Sequence, residues 1–514
     1  MTPPRPGSPA EQARFAELQV TLEERFLRFR ADPIRPYTAV VVPSQSFDPD
    51  ELAKIAGVAH YEERSLFNFM LLRHPRTRVV FVTSKRLNPV VVDYVLHQMR
   101  GVPSLHARGR LTLLDCDDAS PRPLSQKILE RPRLLQRIRD AIPDPDNAHM
   151  LAIAGTPLER TLAVRLGIPL NSCDPELAHL GTKSGSRRVF QAAGVPLAPG
   201  REGLRDTDDL VDGLAALWTE RPTLRRAVVK LEEGFSGEGN GVLELAPLAA
   251  GLGPRPTVAD RARSLRAALP DLKLEAAGLT WPAYSAQFDQ MGGICEAWIE
   301  GEGKVSPSCQ LRINPVGEVQ VISTHDQLLG GPSGQVFEGA TFPADGRYRV
   351  ALQHLGRRVG QVLAGHGCVG RFAVDFLVVP QPDGTDAFTA VEINLRAGGT
   401  THPFNTLKFL TDGTYHPDTG TFTTTQGRER CYFTTDTLSS PRYRGMLPHD
   451  LIDALVLHGV HFRPNETGVL FHLLGCLSEF GKLGCVSVGR DLDEAHAQYR
   501  QVLGILDDLA GDRG

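Results

Sequence analysis

No apolar run in this sequence approaches the roughly 20 residues that cross a bilayer, and the opening MTPPRPGSPAEQARF has no apolar signal core. A membrane span and a secretory leader are therefore not expected, and a soluble, cytoplasmic protein is. The eight cysteines (Cys116, Cys173, Cys295, Cys309, Cys368, Cys431, Cys476 and Cys485) form no CxxC pair and no metal-ligand spacing. They read as reduced, mostly buried thiols rather than a zinc module or disulfide scaffold. Neither sign of charge dominates: Lys+Arg 56 against Asp+Glu 60 leaves a formal net charge of -4. No global field attracts the polyanionic backbone of a nucleic acid, so no nucleic-acid partner is expected. Internal repeats are absent as well.

What is present suits a folded protein of several units. With 41% hydrophobic and 23% charged residues, the 514-residue chain can bury ample cores. At roughly 100–200 residues per domain it divides into three or four. After a Pro-rich start, residues 11–31 place apolar side chains at helical spacing. YTAVVVPS (37–44), TRVVFVTS (77–84), LTLLDCDD (111–118) and HMLAIAG (149–155) are short β-branched or apolar runs alternating with helical stretches. That alternation predicts a largely parallel sheet over residues 37–178, behind an N-terminal arm and helix at 1–36. From residue 179 the pattern turns antiparallel, in two parts at 179–293 and 294–412. A mixed tail at 413–514 ends in the amphipathic segment DLDEAHAQYRQVLGILDDLA.

The segment DFLVVPQPDGTDAFTAVEINL carries the first chemical signal. Asp383-Gly384 is a strong two-residue turn signal, because both residues tolerate positive φ. A turn there sets Asp375 directly opposite Glu392, with Asn394 on the same face. Pro380 and Pro382 offer the competing outcome, a one-residue shift. Two carboxylates about 5 Å apart repel, so the pairing needs a cation or a shared proton. Hard oxygen donors suit Mg²⁺ bound with substrate phosphates. Arg396, Gly398, Gly399, Thr400, Thr401 and His402 follow at once. Arg396 can brace a phosphoryl oxygen or an oxyanion, and the glycines let backbone N–H groups approach an anion.

Upstream, Lys230 ends the run RAVVK and Lys183 opens the preceding helix. Between two strands GFSGEGNG supplies Gly234, Ser236, Gly237 and Gly239, a flexible tip able to wrap N–H donors over a polyphosphate. ICEAWIEG is a short strand closing on acids and glycine. Its backbone can border an adenine while Glu300 or Glu302 reaches ribose hydroxyls.

This order of lysine, lysine with a glycine-rich loop, hinge, aspartate and Glu-x-Asn resembles the ATP-grasp superfamily over about residues 180–410. The resemblance implies an α/β and α+β multidomain chain: an ATP-grasp fold, an N-terminal Rossmann-like pre-ATP-grasp domain and a small C-terminal domain. It implies ATP and Mg²⁺ as cofactors. Lys183, Lys230 and the 234–241 loop would then contact phosphates, Glu296, Trp298, Ile299 and Glu300 would border adenine, and Asp375, Glu392 and Asn394 would bind magnesium. Where relatives carry an arginine two residues before the aspartate this chain has Ala373, with Arg371 two further back, so the oxyanion role passes to Arg396. The hinge lysine of other members is replaced by Ala297. STHDQLLGGPSGQ, GRFAVDF, EINLRAGGTTHPF and GVLFHLLGCLSEFGKLG are similar to the branch containing the peptide ligase of pheganomycin biosynthesis.

The expected reaction joins a carboxylate to an amine, each a small molecule or a peptide, through an acyl phosphate with release of ADP. The amine's proton has three candidate acceptors, His325, Asp326 and His402. Gly330, Gly331, Ser333 and Gly334, with Gly399 and Thr400, are candidates to shape the carboxylate pocket. A homodimer is a candidate assembly that the sequence leaves open. The rival readings are another ATP-grasp chemistry, carboxylation or phosphoryl transfer, and a catalytically silent nucleotide-binding scaffold. No biotin-carrier segment supports carboxylation.

Overall fold

The computed structural model describes residues 4–511 apart from 235, 236, 238, 277 and 331–335. The N-terminal helix runs Pro9–Ala31, with Ser8 accepting a hydrogen bond from the Glu11 N–H and Pro9 in the first turn, where its missing donor costs nothing. It buries Phe15, Leu18 and Leu22 on one face. Strands β1 (Tyr37–Val42), β2 (Thr77–Thr83), β3 (Leu111–Asp115) and β4 (Ala148–Ala152) form a parallel sheet in the order β3-β2-β1-β4. β1 is buried on both faces, as its unbroken apolar run requires.

The second unit is antiparallel: β5 (Gly200–Leu204), β6 (Arg226–Leu231), β7 (Asn240–Glu244), β8 (Lys273–Leu274) and β9 (Gly293–Ala297), in the order β5-β9-β6-β7-β8. It closes around its own core, which includes Leu214, Trp218, Val229, Tyr284 and Phe288. The strand at 294–297, assigned above to the following unit, is a central strand of this sheet.

The third sheet has eight strands. β10 (Pro307–Ile313), β11 (Val319–Gly330), β12 (Val336–Phe342), β13 (Gly370–Pro380) and β14 (Asp386–Asn394) precede the two-stranded β15 (Thr414–His416) and β16 (Thr421–Thr423). β17 (Cys431–Ser439), β18 (Gly468–His472) and β19 (Lys482–Gly489) then rejoin the large sheet, whose order is β14-β13-β10-β11-β12-β17-β19-β18. The division expected at 412/413 is thus bridged by a continuous ladder, with Phe342 paired to Tyr432. Sequence pattern does not reveal it, because strand pairing across about ninety residues leaves no local signature. The helix Arg349–Gly365 lies on this sheet through Leu352, Gly356, Val359 and Gly360. A Cβ at Gly360 would stand 2.5 Å from Val319 Cγ1, so the close approach requires glycine.

One hydrophobic core spans both ends of the chain. Phe69, Phe81 and Val91 from the first unit share it with Phe404, Phe422, Phe471 and Val486. Phe404 sits within it, its ring 5.4 Å from Phe342 and 5.9 Å from Phe422 between centroids. Phe404→Ala is expected to lower stability by about 3–5 kcal/mol, read as a fall in thermal or urea midpoint.

Candidate active site

β13 and β14 set the Asp375 and Glu392 pair in register, with Asp375 opposite Glu392 and Ala373 opposite Asn394. The route to that register differs from the expected two-residue turn. The strands end at Pro380 and Asp386, the Gly384 N–H bonds the Gln381 carbonyl at 3.0 Å, and Gly384 alone takes positive φ, +83°. The prolines do shift the near half of the hairpin by one residue, so that Phe376 faces Ala390. A bulge between Asp375 and Phe376, with Val391 as the extra residue, restores the pairing.

The two carboxylates respond in opposite ways. Burial, and then the facing Glu392, push the Asp375 carboxyl up to about 6. Its oxygens accept hydrogen bonds from the Asn394 amide at 2.9 Å and the Gln327 amide at 3.1 Å. Burial opposes ionisation of Glu392 too, but the Lys183 ammonium, 2.7 Å away, together with Lys230 and Arg396 outweighs it and holds that carboxyl below its ordinary range. Lys183 opens the helix Lys183–Ala193, whose N-terminus is clasped by Glu232: its carboxylate accepts from the Ser184 N–H at 2.9 Å and the Ser184 hydroxyl at 2.7 Å. Glu232 follows β6, so Lys183 and Lys230 are tied to the same strand end.

Asp375, Glu392, Asn394, Gln327 and Lys230 border a cleft of about 1120 Å³, with Lys183 buried behind Glu392 rather than on its surface. Lys230, Gly234, Gly237, Glu296, Trp298 and Ile299 line one side. Asp326, Asp375, Glu392, Asn394, Arg396, Gly399 and Thr400 line the other. Lys230 Nζ pairs with Glu296 at 2.7 Å, and Arg187 holds the other Glu296 oxygen. Gly239 lies at the loop's root, its carbonyl accepting from the Leu231 N–H at 3.0 Å. Arg396 stacks 5.3 Å from the Phe47 ring of the first unit. Gly399 faces Phe337, which a Cβ would approach to 3.0 Å. Gly330 ends β11. Ser236, Gly331, Ser333 and Gly334 lie outside the described residues.

Several expected residues are placed elsewhere. Glu300 is exposed and ion-paired with Arg226, and Glu302 is exposed; neither lines the cleft. His325 is fully buried, its Nε2 2.6 Å from the Tyr432 hydroxyl, and burial lowers its pKa to about 3. On β11 it points to the opposite face from its neighbour Asp326, as strand alternation demands, and therefore cannot meet a substrate in the cleft. Asp326 does line the cleft, but its oxygens accept from the Tyr348 hydroxyl at 2.6 Å and the Asp345 N–H at 2.9 Å. It is a support for that wall.

His402 belongs to a group that sequence reasoning missed. Its Nε2 lies 3.2 Å from His472 Nε2 and 3.3 Å from Asp436 Oδ1, and His472 Nε2 is 2.5 Å from the same oxygen. Arg64 Nη1 bonds the second Asp436 oxygen at 2.7 Å. Among the described residues this is the cluster in which three ligand-type atoms converge, within 4.8 Å. Arg64 already neutralises the carboxylate, which favours proton passage over a bound cation. Burial lowers the His402 pKa to about 4, so its imidazole is neutral near pH 7. Its four members come from four distant segments; the motifs around His402 and His472 were visible, their meeting was not. A second cavity of about 500 Å³ adjoins the cleft, with Arg64, Ile153, Ala397 and Gly398 lining both.

Because His325 is structural in this geometry, Tyr432→Phe is expected to cost about 1–3 kcal/mol of stability through the orphaned imidazole. Substrate-dependent ATP turnover should stay within about twofold of the parent; a loss of rate without loss of stability would return His325 to the chemistry.

Comparison with known proteins agrees with this geometry. The family model described as IQCH-like, ATP-grasp matches residues 175–251 and 275–417, and that of the PGM1 C-terminal domain matches 450–502. An L-propargylglycine--L-glutamate ligase of Streptantibioticus cattleyicolor is 30% identical over 478 residues, covering 91% of this chain and 94% of its own. The IQ motif-containing protein H of Danio rerio is 24% identical over 387 residues, 67% of this chain and 36% of that protein. Among solved structures, a biotin carboxylase from Campylobacter jejuni shares the fold at a TM-score of 0.55, with 12% identity and 92% of each chain covered. The biotin carboxylase domain of a Hydrogenobacter thermophilus 2-oxoglutarate carboxylase does so at 0.54, with 12% identity, over 91% of this chain and 89% of that one. With its nucleotide clamp, its opposed carboxylates and a ligase relative matched almost end to end, the chain belongs to the ATP-grasp superfamily of ligases.

Proposed function

We propose that this protein is an ATP-dependent carboxylate–amine ligase that forms an amide bond through an acyl phosphate and releases ADP and phosphate. The observation that carries the reading is the Asp375–Glu392 pair, set beside Lys183 and Arg396 in a cleft that Lys230 and Trp298 border from another sheet. The Streptantibioticus relative, named as a ligase of two amino acids, supports small carboxylate and amine substrates or short peptides.

Magnesium fits the donor set. Asp375, Glu392 and Asn394 offer oxygen ligands only, and the Asp375 carboxyl, raised by burial and its neighbour, is one whose ionised form calls for a cation. Bound by these three residues, the ion would neutralise phosphate charge during transfer. Lys230 and Lys183, each now matched to a glutamate, supply point charges for the phosphates, and Gly234 and Gly237 of the cleft lining offer backbone N–H groups to them. A carboxylate oxygen of the first substrate attacks the γ-phosphorus, and the bond from that phosphorus to the ADP oxygen breaks. Arg396 steadies the acyl group's developing oxyanion. His402 takes a proton from the arriving ammonium, the freed amine nitrogen attacks the acyl carbon, the carbon–oxygen bond to phosphate breaks, and the nitrogen's second proton leaves with the phosphate. His472 and Asp436 hold that imidazole in place.

ADP release should require a carboxylate and an amine together, with a mass matching the condensed product; release from ATP alone, or none across a panel of amino acids and short peptides, counts against a ligase. Glu392→Gln should reduce turnover at least about 100-fold, and a fully active variant would remove it from the metal site. His402→Gln is expected to lower kcat about 10²-fold with KM for ATP unchanged. That deficit should shrink as pH rises through the amine's own pKa, because the amine then arrives without its proton; a deficit constant with pH would assign His402 a purely structural part.

A further inference from the structure

The second cavity has a one-sided charge. Arg312, Arg371 and Lys408 line it, and no aspartate or glutamate does. Among the described residues no carboxylate forms an ion pair with any of the three. Arg371 donates to the Asn405 amide oxygen at 3.2 Å, and the Arg312 guanidinium stands 5.9 Å from the Phe26 ring. The acid nearest Lys408 along its helix, Asp412, is exposed and bound by Arg73 at 3.2 Å. Burial lowers the pKa of all three cations, Arg371 to about 10; repulsion from Arg312 lowers Arg371 further, and repulsion from Arg371 and Arg312 lowers Lys408 against a partial offset from Asp412. Half-buried cations with no ion-pair partner are costly, and a fold that gathers three around one cavity has left room for an anion.

Position gives the anion a purpose. Arg312 faces Arg371 across β10 and β13, Gln310 faces Ala373, and Ser308 faces Asp375, so the guanidinium pair and the metal pair lie on one sheet face. Four residues of strand separate Arg371 from Asp375, about 13 Å at about 3.3 Å per residue. The reacting carboxylate belongs at Asp375 and Arg396, so an anion held at Arg371 is a different group. The facing wall of the cavity is apolar, from Phe26, Phe29 and Met70; its opening to the cleft passes Ala397 and Gly398, and His402 lines the cavity side.

We propose that this cavity holds the amine substrate by that substrate's own free carboxylate. The acceptor is then an amino acid or short peptide with an apolar side chain, its carboxylate between Arg312, Arg371 and Lys408 and its amino end toward His402. The assignment rests on the ligase reading for its purpose, and its test reads binding alone.

The full-length protein is titrated, by calorimetry and thermal shift, with L-phenylalanine and L-leucyl-L-phenylalanine and with the C-terminal amide of each. At least one acid should bind, and at least tenfold more tightly than its amide; which acid does so separates an amino-acid site from a peptide site. Arg312→Met and Arg371→Met should lose that preference and should melt at or above the parent's temperature in the free state, since each removes an unmatched charge. Arg371→Lys should keep part of the preference, and binding of a fluorescent ATP analogue should be unchanged throughout. No binding by either acid, equal binding of acid and amide, an undiminished preference in the methionine variants, or a fall in their free-state melting temperature overturns the proposal. Absence of ADP release with intact acid binding would instead remove the ligase reading and leave the anion site standing.

Discussion

Two like charges facing each other across neighbouring strands repel, and the ground around Asp375 and Glu392 is arranged to contain that repulsion. Lys183 takes the Glu392 charge, while Asn394 and Gln327 turn their amide N–H groups to Asp375. The compensation makes the carboxylates unequal, one held ionised and the other raised. Lys183 stands where it does because Glu232 caps its helix from the end of β6, so the electrostatics of the third sheet depend on the second. The cleft is shaped by that dependence, its lysines held by internal ion pairs.

The pairing of Asp375 with Glu392 was legible because a turn, two strands and an alternation rule lie within twenty consecutive residues. Asp375 and Glu392 meet although the Asp383-Gly384 two-residue turn does not form, because the turn from Gln381 to Gly384 and the Val391 bulge offset each other. Other elements are local in the same way: β1 shows as an unbroken apolar run, the N-terminal helix by its helical spacing, and β6 and β7 by the glycine-rich segment between them. What escaped was nonlocal. Tyr432 beside His325, and Asp436 between His402 and His472, are encounters between segments separated by 34 to 107 residues. His325 stood out in the sequence because histidine is versatile, and only its side of the strand decided against it.

The nucleotide clamp is set apart energetically. Its core, around Trp218, Tyr284 and Phe288, is separate from the cores of the other units, whereas the first unit and the last share theirs. A lid that carries its own core can move as a body, whereas the helix that carries Lys183 packs through Val189 and Phe190 into the core of the third sheet. The floor of the cleft is the rigid partner, continuous through eight strands.

The shared core also sets an order of events at birth. Phe69, Phe81 and Val91 emerge early from the ribosome, but the side chains that cover them, Phe404, Phe471 and Val486 among them, come some three to four hundred residues later. One face of the N-terminal sheet therefore stays uncovered through most of synthesis, at about 5–20 residues per second, while the clamp can close around its own core in between. The last part of the chain to be made is the part that finishes the first.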